Sequence, residues 1–217
     1  MDNPSRSERS RNAALEAATT IVKRDGPGRL TLDAIAREAG LSKGGVMHQF
    51  RTKEAVLKAL LEQQIAYFED FSSRFIAKAR ETTDQPELAA QIATLREAIK
   101  TPRAGAFALL AAMNENPELM ALPRDVDIKK VAVMKAQARD PDLALLRWAA
   151  ARGLLLSSLF GLSSLTDTER DRLFERLLDD SQWTAIEQSP DATAKPPTTK
   201  AASTARGTKP VKTRKSG

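Results

Sequence analysis

The chain has 217 residues, enough for one or two domains, with a hydrophobic fraction of 41%, no cysteine and a formal net charge of +6. The missing cysteines exclude disulfides, thiolate metal sites and a cysteine nucleophile, and the polar opening MDNPSRSERSRNAALEAA lacks the apolar stretch of a secretory signal. Residues 1–53 carry 10 Lys and Arg against 6 Asp and Glu, residues 54–189 carry 17 against 21, and residues 190–217 carry 7 against 1; a mildly acidic middle between two basic ends suggests nucleic-acid contact at one end or both.

Apolar residues recur at three- and four-residue spacing and no segment alternates at period two, so the expected fold class is all-α. A first helix is predicted over Arg9–Arg24, with Ala14, Leu15, Ala18, Ile21 and Val22 on its apolar face and DGPG at Asp25–Gly28 to stop it. Thr31 is a plausible N-cap for a second helix, Leu32–Ala39; Gly40 breaks it, and Ser42 caps a third, Lys43–Gln49. Thr52 caps a long fourth helix, Lys53 to about Arg80, striped with Leu57, Leu61, Ile65, Phe68, Phe71 and Phe75.

Further helices are predicted over Glu87–Lys100 and Arg103–Asn114, with a short piece near Pro117–Ala121 and then Asp125–Arg139. Asp140 caps the next, with Pro141 at its first position, running to about Leu162. Its run LALLRWAAARGLLLSSLFGL holds Arg147 and Arg152, which argues for a buried helix and not a membrane span. Thr166 or Asp167 caps a last helix to about Ile186. From Ser189 the chain is rich in Pro, Thr, Ala and Lys and poor in large apolar residues, a composition that predicts disorder. Its seven basic residues read equally as a solubilising terminus or as an arm adding salt-sensitive DNA affinity. A soluble cytoplasmic protein is expected, organised as 1–53, 54–188 and a tail 189–217.

Leu32–Phe50 meets the demands of a helix-turn-helix. The first helix carries the small Ala36 where a second must cross closely; Gly40 supplies a turn residue that tolerates positive φ; Ile35, Ala39, Leu41 and Val46 supply the apolar contact. Gly44 and Gly45 are costly inside so short a helix, at roughly 1 kcal/mol each relative to Ala. Bare backbone at the start of the helix would let the chain approach DNA closely.

The segment TLDAIAREAGLSKGGVMHQFRTKEAVLKAL resembles the DNA-binding domain of the TetR family of bacterial transcriptional regulators. Thr31, Ile35, Ala36, Ala39, Gly40, Ser42, Lys43, Gly44, Phe50, Lys53, Glu54 and Leu57 match the family pattern, and Gly26 matches the glycine ending its first helix. The chain departs from it at Met47, His48 and Gln49, where aromatic residues and a histidine are usual. The resemblance implies a DNA-contacting set of Thr31, Lys43, Gly44, Gly45, Met47, His48, Gln49, Arg51 and Lys53. Thr31, Lys53 and Arg51 would hold phosphate. Lys43 would meet guanine O6/N7 or a phosphate, and Met47 would offer apolar contact such as a thymine methyl. His48, the lone histidine, has no partner for a metal site, and no cofactor is expected.

For the later helices the resemblance implies a homodimer and a small-molecule effector. Trp148, Ala151, Leu155, Leu159, Leu173 and Leu177 are candidates for the dimer interface. Phe75, Phe107, Leu110, Met113, Met120, Met134 and Trp148 are candidates for an apolar effector pocket. Core packing is the competing reading for each. The expected function is a ligand-responsive regulator, most simply a repressor that binds a palindromic double-stranded DNA operator as a dimer and is released by a small molecule. The mode of action could instead be activation or ligand-independent regulation. A helical small-molecule binder with a vestigial DNA-binding unit is a second class. An enzyme is the third, and no phosphate loop, nucleophile elbow or His-carboxylate arrangement speaks for it.

Overall fold

The computed structural model describes residues 5–100 and 116–187. The helix predicted over Arg103–Asn114, the pocket candidates Phe107, Leu110 and Met113, and the tail from Ser189 lie outside the described residues. Among the described residues all regular structure is helical. No described helix is long and apolar enough to cross a membrane.

Helix α1 spans Arg6–Asp25, beginning three residues before the periodic stretch predicts. The cause is a capping box: the Ser5 hydroxyl accepts from the Glu8 amide at 3.2 Å and the Glu8 carboxylate accepts from the Ser5 amide at 2.6 Å. That stabilises a polar first turn carrying no apolar signal. Helices α2 (Leu32–Ala39) and α3 (Lys43–Gln49) have the predicted bounds, and α4 spans Lys53–Ala79. Helix α5 spans Pro86–Lys100.

After a 3-10 turn at Pro117–Met120, α6 runs over Ala121–Gln137 and so begins before the expected Asp125. Pro123 sits in its first turn, where an absent N–H breaks no helical hydrogen bond. Helix α7 covers Pro141–Leu159, with the Asp140 carboxylate accepting from the amides of Asp142 and Leu143 at 3.1 and 3.0 Å. It stops short of the expected Leu162 because Gly161 adopts φ 67°.

Helix α8 covers Asp167–Leu178 under a second capping box, from Thr166 and Glu169. The expected continuation to Ile186 is broken. The Asp179 carboxylate accepts from the Ser181 amide, the Ser181 hydroxyl and the Gln182 side chain, turning the chain into a 3-10 turn at Asp180–Gln182 before a short helical turn, Thr184–Glu187.

Two apolar cores form. The first joins Leu15, Ile21 and Val22 of α1, Ile35 of α2, Val46 and Phe50 around α3, and Val56, Leu57, Leu60 and Leu61 of α4. It therefore reaches past residue 53, the expected boundary, and it also takes in Leu119 of the 3-10 turn. The second joins Leu88 and Ile92 of α5, Met134 of α6, Ala144 and Ala151 of α7, and Phe174 and Leu177 of α8. The far half of α4 packs on α5, and α5 packs on α7.

A polar seam holds α4 to this second layer. Lys130 of α6 lies 3.3 Å from Glu69 of α4 and 3.5 Å from the buried Glu87 of α5. Gln91 donates to Glu87 at 2.9 Å and to the buried Ser72 of α4 at 3.4 Å.

Arg147, on α7, is buried to 2% exposure. Its Nε and Nη2 both donate to the Leu177 carbonyl, at 3.2 and 2.7 Å, and Nη2 also meets Asp180 at 2.6 Å. Its guanidinium lies 5.4 Å from the Trp183 ring centroid, and Asp180 in turn accepts from the Thr83 hydroxyl in the α4–α5 connection. A buried arginine thus caps the last turn of α8 and fastens it to the end of α4. Removing it leaves a carbonyl and a carboxylate without their partner, so Arg147→Ala is expected to lose about 3 kcal/mol in urea unfolding. A loss no larger than that of Arg172→Ala, on the exposed side of α8, would contradict this role.

Candidate nucleic-acid interface

The α2–α3 unit is shaped by its ends. The Thr31 hydroxyl accepts from the Ala34 amide at 3.0 Å, Ser42 from Gly45 at 3.0 Å, and Thr52 from Ala55 at 3.1 Å. Three helices therefore begin with a side-chain cap. Between α2 and α3, Gly40 takes φ 64°, its amide and that of Leu41 closing back onto carbonyls at the end of α2. A Cβ at that φ would be strained, which is why the turn requires glycine.

Helix α3 is anchored from below by Val46, at 0% exposure, and by Phe50, at 2%. The Arg11 guanidinium lies 4.7 Å above the Phe50 ring. With one flank held, the opposite flank presents Lys43, Gly44, Met47 and His48 to solvent, with Arg51 just beyond; Met47 is 45% exposed. Thr31 is exposed, and Lys53 is half-buried at the start of α4. The Glu54 carboxyl beside it is held below its ordinary range, chiefly by its own backbone amide and then by the Thr52 hydroxyl.

Gln49 behaves differently from the rest of the expected set. Its amide donates to the Ser7 hydroxyl at 3.0 Å and it is half-buried, tying α3 to the first turn of α1. This brings the first turn of α1, which the motif reading did not single out, against α3 through Ser7. The charge-dense SRSER stretch was the available signal. Lys43 is also engaged: its Nζ lies 3.0 Å from an Asp33 oxygen across the turn.

The two glycines separate. A Cβ on Gly44 would meet nothing within 4 Å, whereas one on Gly45 would lie 3.2 Å from the Ser42 hydroxyl. Neither packs against another helix. Gly44 leaves surface open, and Gly45 clears room for the cap of its own helix.

Among the effector candidates, Met134 is closed inside the second core, and Trp148 packs on that core beneath Arg152, whose guanidinium lies 5.1 Å from its ring centroid. Phe75 and Met120 are half-buried. An open cleft of about 530 Å³ lies elsewhere, between α1 and α2. Arg24, Asp25, Arg29, Arg37 and Glu38 line it, and hydrogen bonds from Arg24 hold the Asp25 carboxyl below its ordinary range. Its walls are polar, unlike the expected pocket.

Among the interface candidates, Ala151 and Leu177 are 0% and 7% exposed within the monomer's own core, which leaves them no surface for a partner. Leu155, Leu159 and Leu173 are half-buried. The outward side of α7 is instead formed by Leu146, Leu156 and Phe160, at 64%, 41% and 50% exposure, with Ala149, Ala150 and Gly153 between them.

Gly44→Ala replaces a helical glycine in open space and is expected to raise unfolding stability by about 0.5 kcal/mol. Gly45→Ala presses on Ser42 and should gain less than Gly44→Ala. Thermal unfolding of the two variants checks the order, and a larger gain at Gly45 would contradict it.

The description "Bacterial regulatory proteins, tetR family" matches residues 14–60, and "Tetracyclin repressor-like, C-terminal domain" matches residues 85–182. Among solved structures the fold is shared with the multidrug binding protein EbrR complexed with malachite green, at 23% identity and a TM-score of 0.61, covering 80% of this chain and 96% of that one. It is shared too with a TetR-family transcriptional regulator from Bordetella parapertussis, at 19% identity and a TM-score of 0.54, covering 78% and 94%. No curated protein matches the sequence. With a helix-turn-helix edge at one end and a helical domain matching the same family at the other, the chain belongs to the tetR family of bacterial transcriptional regulators.

Proposed function

We propose that the protein is a ligand-responsive repressor that binds a palindromic double-stranded DNA operator as a homodimer and is released by a small molecule. The observation that carries the DNA reading is the free edge of α3. Lys43, Gly44, Met47 and His48 face outward from a helix whose other side is fixed by Val46 and Phe50. An edge of seven residues suits the major groove. Thr31, Arg51 and Lys53, at the starts of α2 and α4, are proposed to hold phosphate on either side, with Gln49 positioning α3 through Ser7.

The dimer reading is supported by the apolar outward side of α7. Leu146, Leu156 and Phe160 recur at helical spacing around small residues, a pattern that suits close helix pairing. Two-fold symmetry would set two α3 helices about 34–36 Å apart, one turn of DNA. The effector reading is supported by the α4–α7 layer, where Glu69, Glu87 and Lys130 link α4 to the regulatory helices. An effector acts only through its different affinity for the two states, so a ligand that rearranged this seam would change how α4 carries α3.

A gel shift with the DNA flanking the gene tests the function as a whole: a retained duplex containing a palindrome is expected, and no retention would sink it. Lys53→Ala should weaken binding across sequences and lower the salt slope by about 1. An unchanged slope would remove Lys53 from the phosphate contacts. Leu156→Arg and Phe160→Asp should each shift the protein to monomer in sedimentation, and wild-type association in both would move the interface elsewhere.

A further inference from the structure

Lys43 is the one cation among the described residues of α3, and it does not stand alone. Its Nζ lies 3.0 Å from one oxygen of Asp33 and 3.2 Å from the other. The two residues are ten apart in sequence and sit on different helices, joined across the Gly40 turn. Both are exposed, at 59% and 63% of their side chains, and nothing would cover a side chain at the neighbouring Gly44. The pair is therefore a neutral donor–acceptor unit on the open edge.

From this we infer that Asp33 and Lys43 act together in reading a G·C base pair in the major groove, the ammonium bonding guanine O6 and N7 and the carboxylate accepting from cytosine N4. The inference rests on the DNA-binding reading above and settles the choice between base and phosphate that Lys43 leaves open on its own. A phosphate fits the pair poorly. Whatever anion the ammonium touches also meets the Asp33 carboxylate close by, and the repulsion offsets most of the attraction. A neutral pair also releases no net counterions. A G·C edge fits well, since guanine offers two adjacent acceptors and its partner base a donor beside them, whereas A·T places its donor between two separated acceptors, adenine N7 and thymine O4.

Asp33 then has a second effect. By occupying Lys43 in the free protein, it withholds that charge from arbitrary DNA. Arg37, one turn along α2 on the same side, has no acidic partner among the described residues and carries non-specific attraction instead.

The test uses the full-length protein, a palindrome selected by the wild type from a random duplex library, and an unselected random-sequence duplex as the non-specific probe. The wild type should select G·C at one symmetric position of each half-site and discriminate against substitution there by about tenfold. Asp33→Ala should reduce that discrimination to about twofold. It should also raise affinity for the random duplex about threefold or more, and steepen the salt slope by about 1 as Lys43 turns to phosphate. Asp33→Asn, which keeps the size and drops the charge, should repeat the random-duplex gain and the slope change.

The double variant Asp33→Ala/Lys43→Ala removes a neutral pair. Its slope should return to the wild-type value while the preference at that position stays lost. If instead its slope falls by about 1 with the selected half-site unchanged, Lys43 holds phosphate and the inference is overturned. It is equally overturned if Asp33→Ala and Asp33→Asn leave random-duplex affinity, slope and half-site as they were, or if A·T is selected at the position Lys43 governs. A wild type that selects no sequence would overturn the DNA-binding reading with it. Loss of the pair's effects while Lys53→Ala still lowers the slope would overturn the inference alone.

Discussion

The structure depends on one helix belonging to two cores. At about 1.5 Å per residue, the 27 residues of α4 span roughly 40 Å. The first turns bury Val56, Leu57, Leu60 and Leu61 with the helix-turn-helix, and the far half meets α5 through the buried Ser72, which receives Gln91. A helix is stiff along its axis, so a tilt imposed at Ser72 is also felt beneath Phe50. The two ends are held by different chemistry. The near end is fixed by close-packed apolar side chains, which tolerate little displacement. The far end is held by a polar seam of Glu69, Lys130, Glu87 and Gln91, whose partners can be exchanged. The proposed coupling between the C-terminal helices and α3 would therefore have a rigid receiving end and an adjustable sending end.

Arg147 bounds that adjustable end. It joins α7 to the Leu177 carbonyl in the last turn of α8, and through Asp180 to Thr83, in the connection that follows α4. The buried guanidinium is received at Nε and Nη2 by the Leu177 carbonyl and the Asp180 carboxylate, with an aromatic ring beside it, while its Nη1 has no hydrogen-bond partner among the described residues. This fixes the order of compliance in the regulatory half. The α7–α8 contact is locked by a charge that has nowhere else to go, while the α4–α6 contact is an ion pair with Glu69 and Glu87 competing for one lysine.

Much of this was legible in the sequence where a local rule governs. The bounds of α2 and α3 follow from Thr31, Gly40 and Ser42, because caps and a left-handed turn are decided within a few residues. The start of α1 was missed because its capping box stabilises a turn with no apolar residue in it. The break after Leu178 was missed for the opposite reason. Large apolar residues resume beyond it at Trp183 and Ile186, and what stops the helix includes Arg147, thirty residues away. The Asp33–Lys43 pair and the Gln49–Ser7 bond were out of reach in the same way, since they appear only once α1, α2 and α3 are laid against one another.

Helix α7 shows why hydrophobicity alone misleads about which face is which. Its sequence is apolar nearly all round, and the natural expectation is that arginine points outward and leucine inward. The folded chain does the reverse at the decisive positions: Arg147 is inside at 2% exposure and Leu146, its neighbour, is outside at 64%. Two constraints produce the inversion. The Leu177 carbonyl in the last turn of α8 takes its donor from a long charged side chain on α7. The outward leucines, on the side that would otherwise be polar, are costly to leave against water and become favourable once a second surface covers them. The residues that fit the proposed interface are therefore those the monomer leaves uncovered, Leu146, Leu156 and Phe160. Ala151 and Leu177, equally apolar in sequence, are already spent on holding the monomer together.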